Sequence, residues 1–113
     1  MFTIRVTGSF SAAHSIRGAG GKCENVHGHN YRVEVFISAP RLVPPGMVAD
    51  FVEVRGKLKE ILPDHRDLNA VYDFNPTAEN LARRFFDDLA RFYPVRRVVV
   101  WESDGAGAEY SPD

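Results

Sequence analysis

Cys23-Glu24-Asn25-Val26-His27-Gly28-His29, running on into Asn30-Tyr31-Arg32-Val33-Glu34-Val35-Phe36-Ile37, gathers the only cysteine of the chain and two of its four histidines into one short run. If the segment from His27 onward is extended, its side chains alternate between two faces. His27 and His29 then point the same way, followed by Tyr31, Val33, Val35 and Ile37, while Asn30, Arg32, Glu34 and Ser38 lie opposite. The pattern predicts a half-buried strand whose inward, mostly apolar row begins with two imidazoles. A strand built this way offers both to one metal. His-x-His also occurs without that role, so the rest of the chain has to decide.

Upstream, Phe2, Ile4, Val6, Gly8 and Phe10 alternate with Thr3, Arg5, Thr7, Ser9 and Ser11, which predicts another half-buried strand. The same parity carried through Ala12 brings His14 to the apolar side. His14 is then either a third inward ligand or a core histidine bonded to a backbone carbonyl. Between the two strands, Ser15 to Lys22 holds Gly18, Gly20 and Gly21 with Arg17 and Lys22, a flexible connection and not a P-loop, since the spacing and the following Ser or Thr are missing.

Downstream, Ala39 to Gly46 carries Pro40, Pro44 and Pro45 and reads as a turn region. Asp50 is placed to cap a helix with Glu53 in its first turn, and Phe51, Val54, Leu58, Ile61 and Leu62 recur at helical spacing until Pro63. Asp64-His65 follows in an irregular segment, an imidazole beside a carboxylate that is either a proton-transfer pair or a surface turn. Thr77 caps a second helix whose buried stripe is Leu81, Phe85, Leu89 and Phe92, widened by Ala82 and Phe86. Val95 to Ser103 is a third strand, apolar on both faces in its middle, with Val98 and Val100 on one and Val99 and Trp101 on the other, so both faces are expected to be covered, one of them by another subunit. Glu102 shares the parity of Val98 and Val100, a costly place for a carboxylate without a partner or ligand. Ala108 to Tyr110 has weak strand character. The expected order is β, β, α, α, β and a marginal last β: an α+β fold, with a sheet packed on two helices.

With 113 residues, 44% hydrophobic and 26% charged, the chain is expected to be one soluble domain, residues 1–113. A net charge of −1 gives no general attraction to nucleic acid or to an acidic membrane. No apolar run is long enough to span a bilayer and no signal-peptide pattern opens the chain. A lone cysteine cannot form an intrachain disulfide, so a reducing cytoplasm is the expected location.

Three inward histidines, His14, His27 and His29, would give a zinc ion three neutral nitrogen ligands and leave a fourth position open for catalysis. Cys23 could close that site as a fourth ligand, making it structural, or act as a free thiol that moves protons. His65 beside Asp64 is the remaining candidate for a second proton-transfer group.

Phe10-Ser11-Ala12-Ala13-His14, Cys23-x-x-x-His27-Gly28-His29-Asn30-Tyr31, Val48-Ala49-Asp50-Phe51, Asp64-His65-x-x-Leu68-Asn69, Pro76-Thr77-Ala78-Glu79-Asn80 and Trp101-Glu102-Ser103 occur in that order. Together they resemble the 6-pyruvoyl-tetrahydropterin synthase family, and within it the bacterial 6-carboxy-tetrahydropterin synthase branch that serves queuosine biosynthesis. The resemblance implies a tunnelling fold (T-fold), in which an antiparallel sheet with two helices on one face joins the sheets of other subunits into a barrel. It also implies a homohexamer, a dimer of trimers, with active sites between subunits. The implied reaction converts 7,8-dihydroneopterin triphosphate to 6-carboxy-5,6,7,8-tetrahydropterin with loss of acetaldehyde and triphosphate.

Carried over by position, His14, His27 and His29 match zinc ligands, Cys23 the general base, Asp64 and His65 its proton-relay partners, and Glu102 the carboxylate that anchors the pterin. A carboxylate accepting two parallel hydrogen bonds from a pterin would explain Glu102. Arg17 and Lys22 are candidates for holding the triphosphate. Glu24 departs from the branch, because a folate-route branch is similar in carrying glutamate there in place of the cysteine, and this chain has both. The product could therefore be 6-carboxy or 6-hydroxymethyl, with the 6-pyruvoyl product of the animal-type enzyme a further alternative. The competing class is a non-catalytic zinc module closed by Cys23.

Overall fold

Alternating apolar and polar residues build two long strands, β1 (Phe2–His14) and β2 (His27–Ala39), in a computed structural model that describes residues 1–113. They pair antiparallel without interruption, from Phe2 opposite Ala39 to His14 opposite His27. A third strand, β4 (Val95–Ser103), runs antiparallel beside β2, and β5 (Ala106–Tyr110) runs antiparallel beside β4. A two-residue strand, β3 (Arg66–Asp67), joins the outer edge of β1 in parallel, giving the order β3-β1-β2-β4-β5.

The apolar row of β2 is the centre of the core: Tyr31, Val33, Val35 and Ile37 are buried, with Val6, Phe10, Val98 and Val100 beside them. The helices α1 (Phe51–Ile61), α2 (Leu68–Val71) and α3 (Ala78–Ala90) contribute Val54, Leu58, Leu68, Leu81, Phe85 and Leu89 to the same cluster. Each large side chain so buried is worth about 1.5–3 kcal/mol of hydrophobic stabilisation. Asp50 and Thr77 cap their helices as expected, accepting from Val52 N–H and Asn80 N–H. Gly8 sets how closely α1 approaches the sheet. A Cβ there would lie 2.9 Å from Leu58 Cδ2 and 3.2 Å from Leu62 Cδ1, so a side chain would push the helix outward.

The opposite face of the sheet is polar and cross-braced. Glu34 accepts from Trp101 Nε1 at 2.7 Å and pairs with Arg5, and together these hold its carboxyl below the ordinary carboxylate range. Both faces of β4 are covered in its middle within the single chain, with Val98 and Val100 0% exposed and Val99 8% exposed.

Four expectations are corrected. Phe51 is 51% exposed, because it is the first residue of α1 and lies at the helix end, where only Val54 and Leu58 are buried. Phe92 is 53% exposed, because α3 ends at Ala90 and the helical spacing no longer carries residue 92 inward; its ring instead sits 4.4 Å from the Lys57 ammonium. The last strand spans Ala106–Tyr110 and is well paired, since Gly107 accommodates the Trp101 ring, whose Cε3 would be 2.7 Å from an added Cβ. The segment after α1, expected to be irregular, forms β3 and then α2, capped by Asp67. No helix is long and apolar enough to cross a membrane.

Candidate metal centre

Parity puts His27 and His29 on one face of β2, but register decides what they meet. His14 stands directly opposite His27, and His29 opposite Ala12, so all three imidazoles gather at one end of the β1–β2 hairpin. Their ring centroids are 4.5 Å apart for His14 and His27, 4.9 Å for His27 and His29, and 5.1 Å for His14 and His29. One nitrogen from each ring lies within 4.8 Å of the others.

The outer contacts select the nitrogens. His14, 1% exposed, has Nδ1 2.7 Å from the Pro76 carbonyl, and His27 has Nδ1 2.8 Å from the Asn25 carbonyl. A carbonyl can only accept, so both Nδ1 atoms carry the proton and both Nε2 atoms keep a lone pair, that of His14 lying 3.4 Å from the Tyr31 hydroxyl. His29 Nε2 is buried and has no hydrogen-bond partner. Burial lowers its pKa from the ordinary 6.5, nearby Glu102 opposes this, and His14 and His27 add to the lowering. A neutral imidazole is the form that binds a metal. Three converging lone pairs, one on an otherwise orphaned buried nitrogen, fit a metal that favours nitrogen donors.

Two further residues border the cluster. The Tyr31 hydroxyl lies 3.1 Å from His14 Nδ1, and its pKa is pushed above the ordinary range, mainly by burial. Glu102 Oε2 lies 3.6 Å from His29 Nε2. The fold therefore joins His14, His27, His29 and Glu102 from three strands. Tyr31 and the Pro76 carbonyl were not among the expected site residues. Tyr31 shares the parity of His29 and could have been noticed, whereas a backbone carbonyl leaves no trace in side-chain identity.

Cys23 is not among the clustered donors. It is an exposed free thiol in a 3₁₀ turn, Gly21–Glu24. Glu24 is occupied within that turn, accepting from Gly20 N–H at 3.0 Å. The Arg17 guanidinium reaches the Asp73 carbonyl at 3.5 Å, and Lys22 is exposed.

Asp64 and His65 do form a pair, with His65 Nδ1 3.1 Å from Asp64 Oδ2. Asp64 also accepts from Ser11 N–H at 2.9 Å. That bond, ahead of the His65 contacts and against desolvation, holds its carboxyl below the usual 3.8. His65 adopts φ 57°, a left-handed conformation uncommon outside glycine, while its N–H donates to the Ser11 carbonyl at 2.6 Å. Its side chain is 82% exposed and borders open depressions, one of them also lined by His29, with Ser11 and Asn30. Those two residues lie on the sheet face opposite His14, His27 and His29. Within one chain, the Asp64–His65 pair sits at the outer edge of β1, bonded to the Ser11 backbone, and is not among the clustered metal-capable groups.

A family model described as 6-pyruvoyl tetrahydropterin synthase matches residues 3–113. The chain is 44% identical over 109 residues to an Archaeoglobus fulgidus protein whose name, 6-carboxy-5,6,7,8-tetrahydropterin synthase, is provisional; the match covers 94% of this chain and 92% of that one. It is 33% identical over 120 residues to the 6-carboxy-5,6,7,8-tetrahydropterin synthase of Synechocystis sp., covering 97% and 93%. The fold is similar to the structure of Caenorhabditis elegans 6-pyruvoyl tetrahydropterin synthase, with a TM-score of 0.87, 27% identity, and 99% and 96% of the two chains covered.

Proposed function

The chain belongs to the 6-pyruvoyl tetrahydropterin synthase family of enzymes, and from that premise we propose that it is a zinc-dependent lyase of the queuosine route. It would convert 7,8-dihydroneopterin triphosphate and one water to 6-carboxy-5,6,7,8-tetrahydropterin, acetaldehyde and triphosphate. The observation that carries this reading is the set of three imidazole nitrogens within 4.8 Å, one of them buried and unpartnered, with Glu102 at its rim. Relatives carrying the 6-carboxy name at 44% and 33% identity favour that branch.

His14, His27 and His29 would hold the zinc through Nε2. Zinc bound there supplies Lewis-acid polarisation of the hydroxyl and carbonyl oxygens of a substrate side chain. Glu102 accepts two parallel hydrogen bonds from the amino group and ring N–H of the pterin, which fixes the ring beside the histidines. Cys23, as thiolate, takes a carbon-bound proton from the side chain. Glu24 has its carboxylate engaged by Gly20, which supports Cys23 over Glu24 as the base and the 6-carboxy product over a 6-hydroxymethyl one. Arg17 and Lys22 sit on the same connection and would meet the triphosphate.

Asp64 and His65 would pass the proton on, yet in their own chain they sit at the outer edge of β1, bonded to Ser11, and not in the histidine cluster. We therefore assign this role to a second copy, whose pair completes the site in a homo-oligomer of single-domain subunits, expected to be a hexamer. A free thiol as base also suits a reducing cytoplasm.

The test is to incubate the zinc-loaded protein with 7,8-dihydroneopterin triphosphate and identify products by mass spectrometry. 6-Carboxy-tetrahydropterin with acetaldehyde is the expected result; a 6-hydroxymethyl or 6-pyruvoyl product, or no turnover with zinc bound, overturns it. For the shared site, subunits of Cys23→Ala and His65→Ala, each inactive alone, should regain activity when mixed and reassembled. No recovery in verified mixed oligomers would place both residues in one chain's site.

A further inference from the structure

We propose that Asn69 and Asn75 are positioning residues for Cys23, acting as side-chain substitutes for a missing strand along the backbone that leaves His14. The proposal rests on the reading of Cys23 as the proton-transfer group.

On the outer edge of β1, backbone groups that face away from β2 recur at every second residue. At Ser11 they are met by the Asp64 carboxylate and the His65 N–H. At Ala13 the partner is β3, which pairs there in parallel. β3 then turns into α2 and can no longer follow. At Ser15 the Asn69 amide takes over, its Oδ1 accepting from Ser15 N–H at 2.8 Å and its Nδ2 donating to Ser15 C=O at 3.0 Å. At Arg17 the Asn75 amide repeats the pattern, Oδ1 accepting from Arg17 N–H at 3.0 Å and Nδ2 donating to Arg17 C=O at 2.9 Å. A primary amide carries a donor and an acceptor side by side, so it can pair with both groups of one residue as a strand would.

The residue between the two, Ile16, faces the other way, and its N–H donates to the Cys23 carbonyl at 2.6 Å. Cys23 thus hangs from a backbone segment gripped on its far side at residues 15 and 17. Both grips are themselves braced. Asn69 N–H donates to Asp67 Oδ1 at 3.1 Å, and the Asn75 carbonyl accepts from Asn80 Nδ2 at 2.9 Å. The loop otherwise contains three positive-φ glycines and no buried residue in its 3₁₀ turn, whose remaining bonds, Gly20 N–H to Glu24 and Asn25 N–H to the Lys22 carbonyl, are internal to the loop and do not tie it to the sheet. Asparagine meets this need and aspartate does not, because a carboxylate accepts from N–H but repels the adjacent C=O.

The test uses zinc-loaded, full-length Asn69→Ala, Asn75→Ala, the double variant, and Asn75→Asp as a milder change that keeps the acceptor. Amide hydrogen exchange across residues 15–25 should quicken by about tenfold per alanine substitution, as expected for losing a pair of ordinary hydrogen bonds, with Asn75→Asp between wild type and Asn75→Ala. Zinc content should stay at the wild-type level and KM within about threefold, while kcat falls about tenfold or more, since a misplaced base slows chemistry and not binding. Unchanged exchange in a double variant with wild-type zinc would overturn the proposal, as would faster exchange with undiminished kcat. If the wild-type protein shows no turnover, the functional reading fails, and the exchange data still decide whether the amides hold the loop.

Discussion

The two ends of the proposed chemistry are built in opposite ways. The metal-binding end stands on paired strands: His14 and His27 face each other in an unbroken ladder, His14 is buried, and backbone carbonyls orient both rings. The thiol end stands on a glycine-rich connection, exposed, and held by hydrogen bonds from side chains. Paired strands hold ligands in place because each residue is fixed by its neighbours on both sides. A loop is stiff only where something outside it supplies the missing partners. Metal binding should therefore be insensitive to changes in the loop, and proton transfer should depend on both regions.

The largest effect that would test this contrast is His29→Ala. Removal of one of three nitrogens should weaken zinc binding by more than about 100-fold, beyond the usual cost of an outer contact, and abolish turnover. Competition with a chromophoric chelator measures the first. Retained affinity would mean that the cluster is not the metal site.

Cys23→Ala should leave zinc stoichiometry unchanged and lower kcat by roughly 100- to 10,000-fold, the usual range for a lost acid–base group. Zinc loss on this substitution would instead make Cys23 a ligand and revive the closed, non-catalytic module.

Tyr31→Phe removes a buried hydroxyl beside His14. The expected changes are about tenfold weaker zinc binding and about 1 kcal/mol of stability, read from chelator competition and urea unfolding. An unaltered affinity would confine the orientation of His14 to the Pro76 carbonyl.

The smallest effect concerns the exposed Asp64, whose pKa is held below 3.8 chiefly by Ser11 N–H. Its contribution to stability is fully present above its unfolded value and is lost as pH falls through the lower folded value. Below about pH 4, the wild-type urea midpoint should fall more steeply with pH than that of Asp64→Asn. Parallel profiles would show that this first rung of the β1 edge adds nothing measurable.

Much of this was legible from residue order. Alternation in Phe2–Phe10 and His27–Ile37 predicts both long strands and the inward direction of the three histidines, because side-chain direction in a strand repeats every two residues. Asp50 and Thr77 mark the helix starts through their capping chemistry. Phe51 and Phe92 misled because periodicity says which side a residue faces and not where the helix stops overlying the sheet. β3 and α2 were missed because a two-residue parallel strand is created by its partner, the far edge of β1. β5 was underestimated because its stability comes from packing of Trp101 on Gly107, a contact between strands.

By itself, the sequence determined the two-faced strands, the helix starts, the set of metal-capable residues and the family resemblance, since all of these depend on local spacing and side-chain chemistry. Only the tertiary structure decided which residues meet: His14 opposite His27, Glu102 beside His29, the Asp64–His65 pair at the outer edge of β1, and asparagine amides gripping the segment that carries Cys23. Those pairings depend on strand register and chain return, and register is set by the packing of the whole core and not by any one segment.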